Sequence, residues 1–351
     1  MPKVPLPPAP PLGAITSAFG RKGRDPLNKN RVSTPYVFGP VPSRRLGLSL
    51  GVDLLPRKTC TYDCLYCQVG RTTDRCAEPR DLVPVEAVIR QVAERLRECS
   101  ADVVTLSGSG EPTLHSGIQR VIEAVREVMD MQVAVLTNGS LLWRPEVRER
   151  LLAAHKVLPT LTSGYEETFQ RIHRPHPQIT LARLLEGLSA FRKEYRGLFL
   201  LEVVFLAGLN DTDREVERLR EVIGRIAPDR VQLNTVARPP ADPGAVALDR
   251  DRLKAIMTFL GNRAEIVAEF QRKGTRGAGN GGRELLEMIR RRPVRAEEAC
   301  KTLGLDPVTF QDLIRGFLDK GLVREEEHLG TTFYVISERE VPEGEQNSNG
   351  R

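Results

Sequence analysis

The chain has 351 residues, 40% hydrophobic and 28% charged, with 52 Lys and Arg against 46 Asp and Glu for a formal net charge of +6. This composition excludes wholesale disorder, a fibrous repeat and a disulfide-stapled miniprotein, and the length suits one large domain or two smaller ones. No run approaches about 18 consecutive apolar residues, so the sequence offers no bilayer span. The proline-rich start, MPKVPLPPAPPLG, lacks the apolar core of a secretory signal, which predicts a cytoplasmic protein with no membrane partner. In a reducing compartment its six cysteines point to metal or redox chemistry rather than structural disulfides.

Charge is uneven along the chain. Residues 1–58 hold ten basic and two acidic side chains, residues 272–295 hold eight and two, and the remainder sums to −8. Such segments suit a polyanionic partner or simply a solvated basic surface. Residues 1–35 have little apolar periodicity and many Pro, Gly and Ser breaks, and read as an irregular arm. From 36 to 271, short β-branched runs alternate with amphipathic helical stretches, the pattern of repeated βα units around a parallel sheet. Strands are expected over 48–54, 102–107, 132–137, 157–161, 200–206 and 230–234. Helices are expected over 84–99, 116–130, 145–153, 180–195, 212–226 and 249–261. Six such units are too few for an eight-stranded barrel and predict a partial one.

A Gly-rich segment follows, with five glycines between Gly274 and Gly282, so 272–282 reads as a linker. Beyond it, helical periodicity over 283–291, 296–303 and 307–320 leads into two strand-like runs, and 283–337 matches a winged helix-turn-helix. The polar tail from 338 is expected to fray.

Cys60, Cys64 and Cys67 lie within eight residues, as C-T-Y-D-C-L-Y-C, after the first expected strand. Buried free thiols are one reading. A structural zinc is another, but it needs four ligands, and the next cysteine, Cys76, lies nine residues on. Three thiolates also suit a [4Fe-4S] cluster that leaves one iron open for a reactant. Two further polar segments end expected strands. Ser107-Gly108-Ser109-Gly110-Glu111-Pro112-Thr113 reads as a tight βα turn or as a backbone able to approach a ligand closely. Thr137-Asn138-Gly139 reads as an Asn-Gly turn or as polar groups at a barrel mouth.

The CxxxCxxC triplet followed by these segments in this order resembles the radical S-adenosylmethionine (SAM) superfamily. The resemblance implies a partial (β/α)6 TIM-type barrel in which Cys60, Cys64 and Cys67 ligate three irons of a [4Fe-4S] cluster. SAM would chelate the fourth iron through its amino and carboxylate groups. Tyr66 is then expected near the SAM adenine, and Gly108, Gly110 and Glu111 form the motif for its methionyl amino group. Thr137 and Asn138 are placed to reach a ribose hydroxyl or carboxylate. The implied activity is that of an oxidoreductase or lyase. Reductive cleavage of SAM would give methionine and a 5′-deoxyadenosyl radical that abstracts hydrogen from a substrate, with electrons from a donor such as flavodoxin or ferredoxin.

The flanks narrow the resemblance. FGPVPSRRLGLSLGVDLLPRKTC, the Gln68–Thr72 run after the cysteines, IHRPHP at 172–177, GLND at 208–211 and QLNTVARPP at 232–240 are similar to a broad group. Its members are cytosolic radical SAM iron-sulfur oxidoreductases grouped with the tRNA wyosine-synthesis enzymes. Arg44, Arg45, Arg174, Asn234 and Arg238 are the substrate candidates, the arginines suiting either phosphate and carboxylate clamps or salt bridges at a polar rim. One departure is Leu158-Pro159-Thr160-Leu161-Thr162-Ser163, where an L-P-S-L-D-A-like string is expected and Thr162 replaces an acid. The winged-helix segment reads as a nucleic-acid module, with Arg290–Arg292 and Arg295 on phosphates, or as a protein-docking module, since 307–320 balances Arg315 and Lys320 against Asp312 and Asp319. The leading substrate is RNA, by tRNA base modification. The alternative is an activase or maturase acting on a protein or peptide, and a DNA-binding iron-sulfur sensor is a third reading, for which a complete SAM site is superfluous.

Overall fold

The computed structural model describes residues 36–43, 45–267 and 281–337. The expected arm, Arg44, the linker up to residue 280 and the tail from 338 lie outside the described residues. The chain divides into two compact units, Met1–Arg272 and Lys273–Arg351.

In the first unit the strands are β1 (Val37–Ser43), β2 (Gly47–Val52), β3 (Thr59–Cys60), β4 (Asp74–Arg75), β5 (Val103–Leu106), β6 (Val133–Thr137), β7 (Lys156–Pro159), β8 (Leu198–Phe205), β9 (Arg230–Thr235) and β10 (Ala264–Ile266). Its helices are α1 (Val85–Glu98), α2 (Ile118–Glu123), α3 (Pro145–Leu151), α4 (Glu166–His173), α5 (Leu181–Glu194), α6 (Asp213–Ile226) and α7 (Arg250–Leu260). The main sheet runs β1-β2-β5-β6-β7-β8-β9-β10, while β3 and β4 form a separate small pair. Every neighbouring pair from β2 to β10 is parallel, and only β1 is antiparallel. The fold is therefore mixed α/β with a largely parallel sheet.

The six expected strands are all present, but the sheet has eight. β10 is too short, at three residues, to show periodicity. β1 contains Pro40 and Pro42, which cannot donate to a ladder and so belong on an edge, where β1 lies. The long helix expected over 116–130 is instead α2 followed by a wider π turn at Ala124–Val128, and a 3-10 turn at Pro112–Leu114 precedes it. The helix α4 falls where the sequence predicts none.

Alternation along the strands separates two faces. Leu50, Val104, Val133, Val135, Val157, Leu201, Val203 and Leu233 join the helices in one buried core. On the other face, Val103, Ala134, Leu158 and Leu200 pack with Leu46 into a small apolar layer. On the same face stand Ser49, in register with Val103, Thr105, in register with Ala134, and Glu202, two residues beyond Leu200. Helix starts follow side-chain caps: Thr180 accepts from Arg183 N, Thr212 from Glu215 N, and Asp249 from Asp251 N and Arg252 N.

The second unit contains α8 (Gly281–Arg291), α9 (Ala296–Leu303), α10 (Pro307–Asp319) and an antiparallel hairpin of β11 (Val323–His328) and β12 (Thr331–Ile336). Leu285, Met288, Ile289, Val294, Phe310, Ile314, Val323 and Tyr334 form its own core. Gly281 and Gly282, expected in the linker, begin α8, where a Cβ at Gly281 would come within 2.8 Å of Leu305 and one at Gly282 within 3.1 Å of Leu313. Their missing side chains make room for close packing rather than for flexibility.

Candidate functional site

The loop after β2 carries the three cysteines and is tied to its surroundings mainly through backbone. Lys58 N donates to Ser109 O at 3.0 Å and Glu111 N to Thr59 O at 3.3 Å, joining it to the turn after β5. Asp63 N donates to His173 O and Leu65 N to Ile172 O, both at 2.9 Å, and His176 N donates to Thr61 O at 2.8 Å, so the end of α4 braces its other side. The IHRPHP string thus folds directly against the cysteine loop.

The glycines of the Ser107–Thr113 turn have a specific reason. Gly108 sits at φ +150°, and a Cβ there would meet Asp53 Cγ at 2.4 Å, while one on Gly110 would lie 1.7 Å from Thr59 O. The space they leave is taken by Asp53 and by the cysteine-loop backbone. Asp53 Oδ2 accepts from Ser109 N at 3.1 Å and Ser109 Oγ at 2.6 Å, holding the turn from the end of β2.

Glu111 is buried at the meeting point of three strand ends. Its Oε1 accepts from Thr113 N at 3.1 Å, Thr113 Oγ1 at 2.6 Å and Thr137 Oγ1 at 2.6 Å, and its Oε2 accepts from Asn138 N at 2.6 Å. Burial raises its pKa, opposed by these hydrogen bonds. Oε1 is saturated, whereas Oε2 keeps acceptor capacity for a further donor. Asn138 Nδ2 donates to Thr61 Oγ1 at 2.7 Å and approaches Cys60 Sγ at 3.7 Å. Glu111, Thr137 and Asn138 are therefore one network against the first cysteine.

The cysteine sulfurs differ in their polar neighbours. Cys60 has Asn138. Cys64 Sγ lies 3.1 Å from His173 Nδ1, and Tyr66 hydrogen-bonds the same thiol. Cys67 and Cys60 face Lys58, whose buried side chain reaches Gly70 O; burial lowers the Lys58 pKa while the two cysteines act the other way. Burial, helped by Glu111, pushes the Cys60 thiol up to about 12, and burial also raises Cys64 well above its usual range. His173, wholly buried, is lowered to about 3 by burial, which keeps the ring neutral. Tyr66 stands edge-on to His173 at 5.8 Å between ring centroids, and burial followed by Cys64 and Glu202 raises its hydroxyl.

Among the described residues, no three His, Cys, Asp or Glu side chains converge closely enough to hold one metal ion. A cluster makes no such demand, because each iron takes one thiolate from a separate direction. The donor set fits one. Three free thiols share a loop, a buried ammonium faces two of them, and the buried Tyr62 hydroxyl has no partner, with Cys64, Glu111 and Cys60 as its ionisable neighbours.

The substrate candidates separate. Arg45 Nη1 meets Glu202 Oε1 at 2.7 Å, Asn234 Nδ2 donates to the same oxygen at 3.1 Å, and Thr160 Oγ1 lies 3.4 Å from Oε2. Next to Glu202 in register is buried Gln232, whose Oε1 has no partner. This polar layer lies on the sheet face that carries the apolar layer of Leu200 and Leu158. Arg174 is elsewhere: it pairs with Asp242 at 2.7 Å, and Arg71 bridges Asp242 and Asp63, so these charges brace the cysteine loop. Arg238 is half-buried, and Arg44 lies outside the described residues. Sequence reasoning missed Lys58, His173 and Glu202. The signal for Glu202 was present, a lone carboxylate inside the apolar run LLEVVF.

Residues 55–223 match the radical SAM superfamily. Members of this superfamily bind a [4Fe-4S] cluster and SAM, and the cysteine loop lies within the matched residues. The chain is a member of the UPF0026 family: it is 32% identical over 307 residues to the UPF0026 protein of Methanocaldococcus jannaschii, covering 85% of this chain and 95% of that one. It is likewise 32% identical over 314 residues, 88% of this chain, to the GTPase Obg of Brachyspira hyodysenteriae, but spans only 46% of that protein. A further match, 28% identical over 181 residues and 50% of each chain, is to the dual-specificity RNA methyltransferase RlmN of Pelobacter propionicus.

Proposed function

We propose that the protein is a radical SAM enzyme in which Cys60, Cys64 and Cys67 hold three irons of a [4Fe-4S] cluster. The SAM site is formed by Tyr66, Gly108, Gly110, Glu111, Thr137 and Asn138, on a partial (β/α)6 barrel followed by a winged helix. The observation that carries this reading is the Glu111 network, which joins the turn after β5 and the end of β6 to the cysteine loop at the C-terminal edge of parallel strands. When bound, the cluster and SAM supply reductive cleavage of a sulfonium bond and hydrogen abstraction from substrate. The chain's own residues bind and orient. Glu111 Oε2 retains capacity for an ammonium group, Lys58 offsets thiolate charge, and the packed rings of Tyr62, Phe169 and His173 keep water from the cysteine loop. Arg45, Glu202, Asn234 and Gln232 offer the substrate a polar face.

RNA is the leading substrate class, supported by the likeness to an RNA methyltransferase and by the basic segments of the chain. A protein or peptide substrate is favoured by a different observation. Arg290 and Arg291 pair with Glu287 and Arg292 pairs with Glu298, so these expected phosphate contacts are already engaged within the second unit.

The test is anaerobic reconstitution with iron and sulfide, reduction, and addition of SAM. The wild-type protein should release 5′-deoxyadenosine and methionine, and Cys60→Ser, Cys64→Ser or Cys67→Ser should abolish both products. An intact cluster that leaves SAM uncleaved overturns the proposal.

A further inference from the structure

Cys64 differs from the other two cysteines in the neighbour it is given. His173 Nδ1 lies 3.1 Å from its sulfur, and on the far side of the ring Nε2 lies 2.7 Å from Thr162 Oγ1. His173 and Thr162 are both wholly inaccessible to solvent. The ring is clamped by Tyr62 at 4.7 Å and Phe169 at 5.2 Å between centroids, and the peptide oxygen of His173 holds Asp63 N. Thr162 is itself fixed, its carbonyl accepting from Asn210 Nδ2 at 2.8 Å. This geometry is assembled from α4, the segment after β7 and the cysteine loop.

A neutral imidazole donates from one nitrogen and accepts at the other. With Cys64 as a thiol, two arrangements satisfy the row: the sulfur donates to Nδ1 while Nε2–H donates to Thr162, or Thr162 donates to Nε2 while Nδ1–H donates to sulfur. Once the sulfur is a thiolate bound to metal it has no proton, and only the second arrangement remains satisfied. A hydroxyl at 162 can make that reversal because it both donates and accepts. The carboxylate expected there from the sequence pattern only accepts, and would hold the proton on Nε2, turning the Nδ1 lone pair toward the sulfur. Thr162 and His173 thus act together on the Cys64 sulfur.

We propose that His173 is a positioning residue of the cluster, donating its Nδ1–H to the Cys64 thiolate, with Thr162 selecting the tautomer, and that this bond raises the reduction potential of the cluster. A donor to a ligating sulfur stabilises the more negative, reduced state, so its removal lowers the potential. The inference rests on the cluster assignment above.

The experiment is an EPR-monitored redox titration of the reconstituted full-length protein without SAM. His173→Phe keeps a ring between Tyr62 and Phe169 but has no donor. His173→Asn places an N–H near the Nδ1 position without the ring. Thr162→Val leaves the ring and removes its orienting hydroxyl. The Phe variant should show a tenfold smaller reduction equilibrium constant, a fall of about 59 mV for a one-electron couple. The Asn variant should stay near wild type, and the Val variant should fall in the same direction by less. Histidine-specific 15N labelling should change the weak nitrogen coupling seen by pulsed EPR in the wild type and not in His173→Phe. A Phe variant with the wild-type midpoint, or an Asn variant matching Phe, overturns the proposal; should the Phe variant fail to hold a cluster, an unchanged midpoint in Thr162→Val overturns it. If the wild type itself forms no [4Fe-4S] signal, it is the cluster assignment that fails.

Discussion

Glu111 shows how much a single carboxylate organises. Four hydrogen bonds from two segments end on it, and it has no room for a further donor on Oε1. Glu111→Gln keeps the shape but turns one of the two positions into an N–H₂ that faces existing donors. The expected cost is roughly 2 kcal/mol, the penalty for leaving buried polar groups unsatisfied, read by denaturant unfolding of the metal-free protein. SAM affinity should fall as well, because Asn138 loses its anchor. Gly110→Ala is expected to be worse, since a Cβ 1.7 Å from Thr59 O forces two backbones apart, at about 3 kcal/mol by the usual cost of overpacking. The sequence made Glu111 and the glycines legible as a candidate site because their order after the cysteines resembles a family pattern. It made His173 legible only as part of a string. Its contact with Cys64 spans 109 positions and depends on where α4 ends, which no local spacing encodes.

At the scale of elements, the strands and long helices were readable because their apolar residues repeat over enough positions to fix a face. The helix α4 was not. It has eight residues, and its buried apolar side chains, Phe169 and Ile172, give one i,i+3 pair rather than a periodic stripe. β1 was hidden by its prolines, which are tolerated because it is an edge. Capping at this scale can be tested on α10. Asp306 accepts from Val308 N and Thr309 N, both at 3.0 Å, and from Thr309 Oγ1 at 2.5 Å; these bonds, the Thr309 side chain first, hold its pKa below the ordinary 3.8. A carboxylate whose folded pKa is depressed stabilises above its unfolded value, and that stabilisation is lost as pH falls through the folded value. Thermal melts followed by circular dichroism should therefore drop on acidification below about pH 4 more steeply in the wild type than in Asp306→Asn, which caps without titrating. Parallel pH profiles would remove Asp306 from the account.

At the scale of the whole molecule, each unit buries its own core, and the chemistry proposed for the chain lies entirely in the first. A chain ending at residue 280 is therefore expected to reconstitute a cluster and cleave SAM at the wild-type rate, measured as iron content and 5′-deoxyadenosine per protein. Any role of the second unit then concerns what is presented to the site. If RNA is held by its arginine run, truncation should reduce the slope of log affinity against log salt by about 0.7 for every phosphate those arginines neutralise, the increment for single strands. Arg290, Arg291 and Arg292 are each engaged by Glu287 or Glu298, and releasing them for phosphate would break those pairs. The expected outcome is a slope nearly unchanged by truncation, with the salt dependence residing in the first unit. A slope that falls by about 2 or more, the equivalent of three neutralised phosphates, would instead show that the second unit gives up its internal ion pairs to grip a nucleic acid.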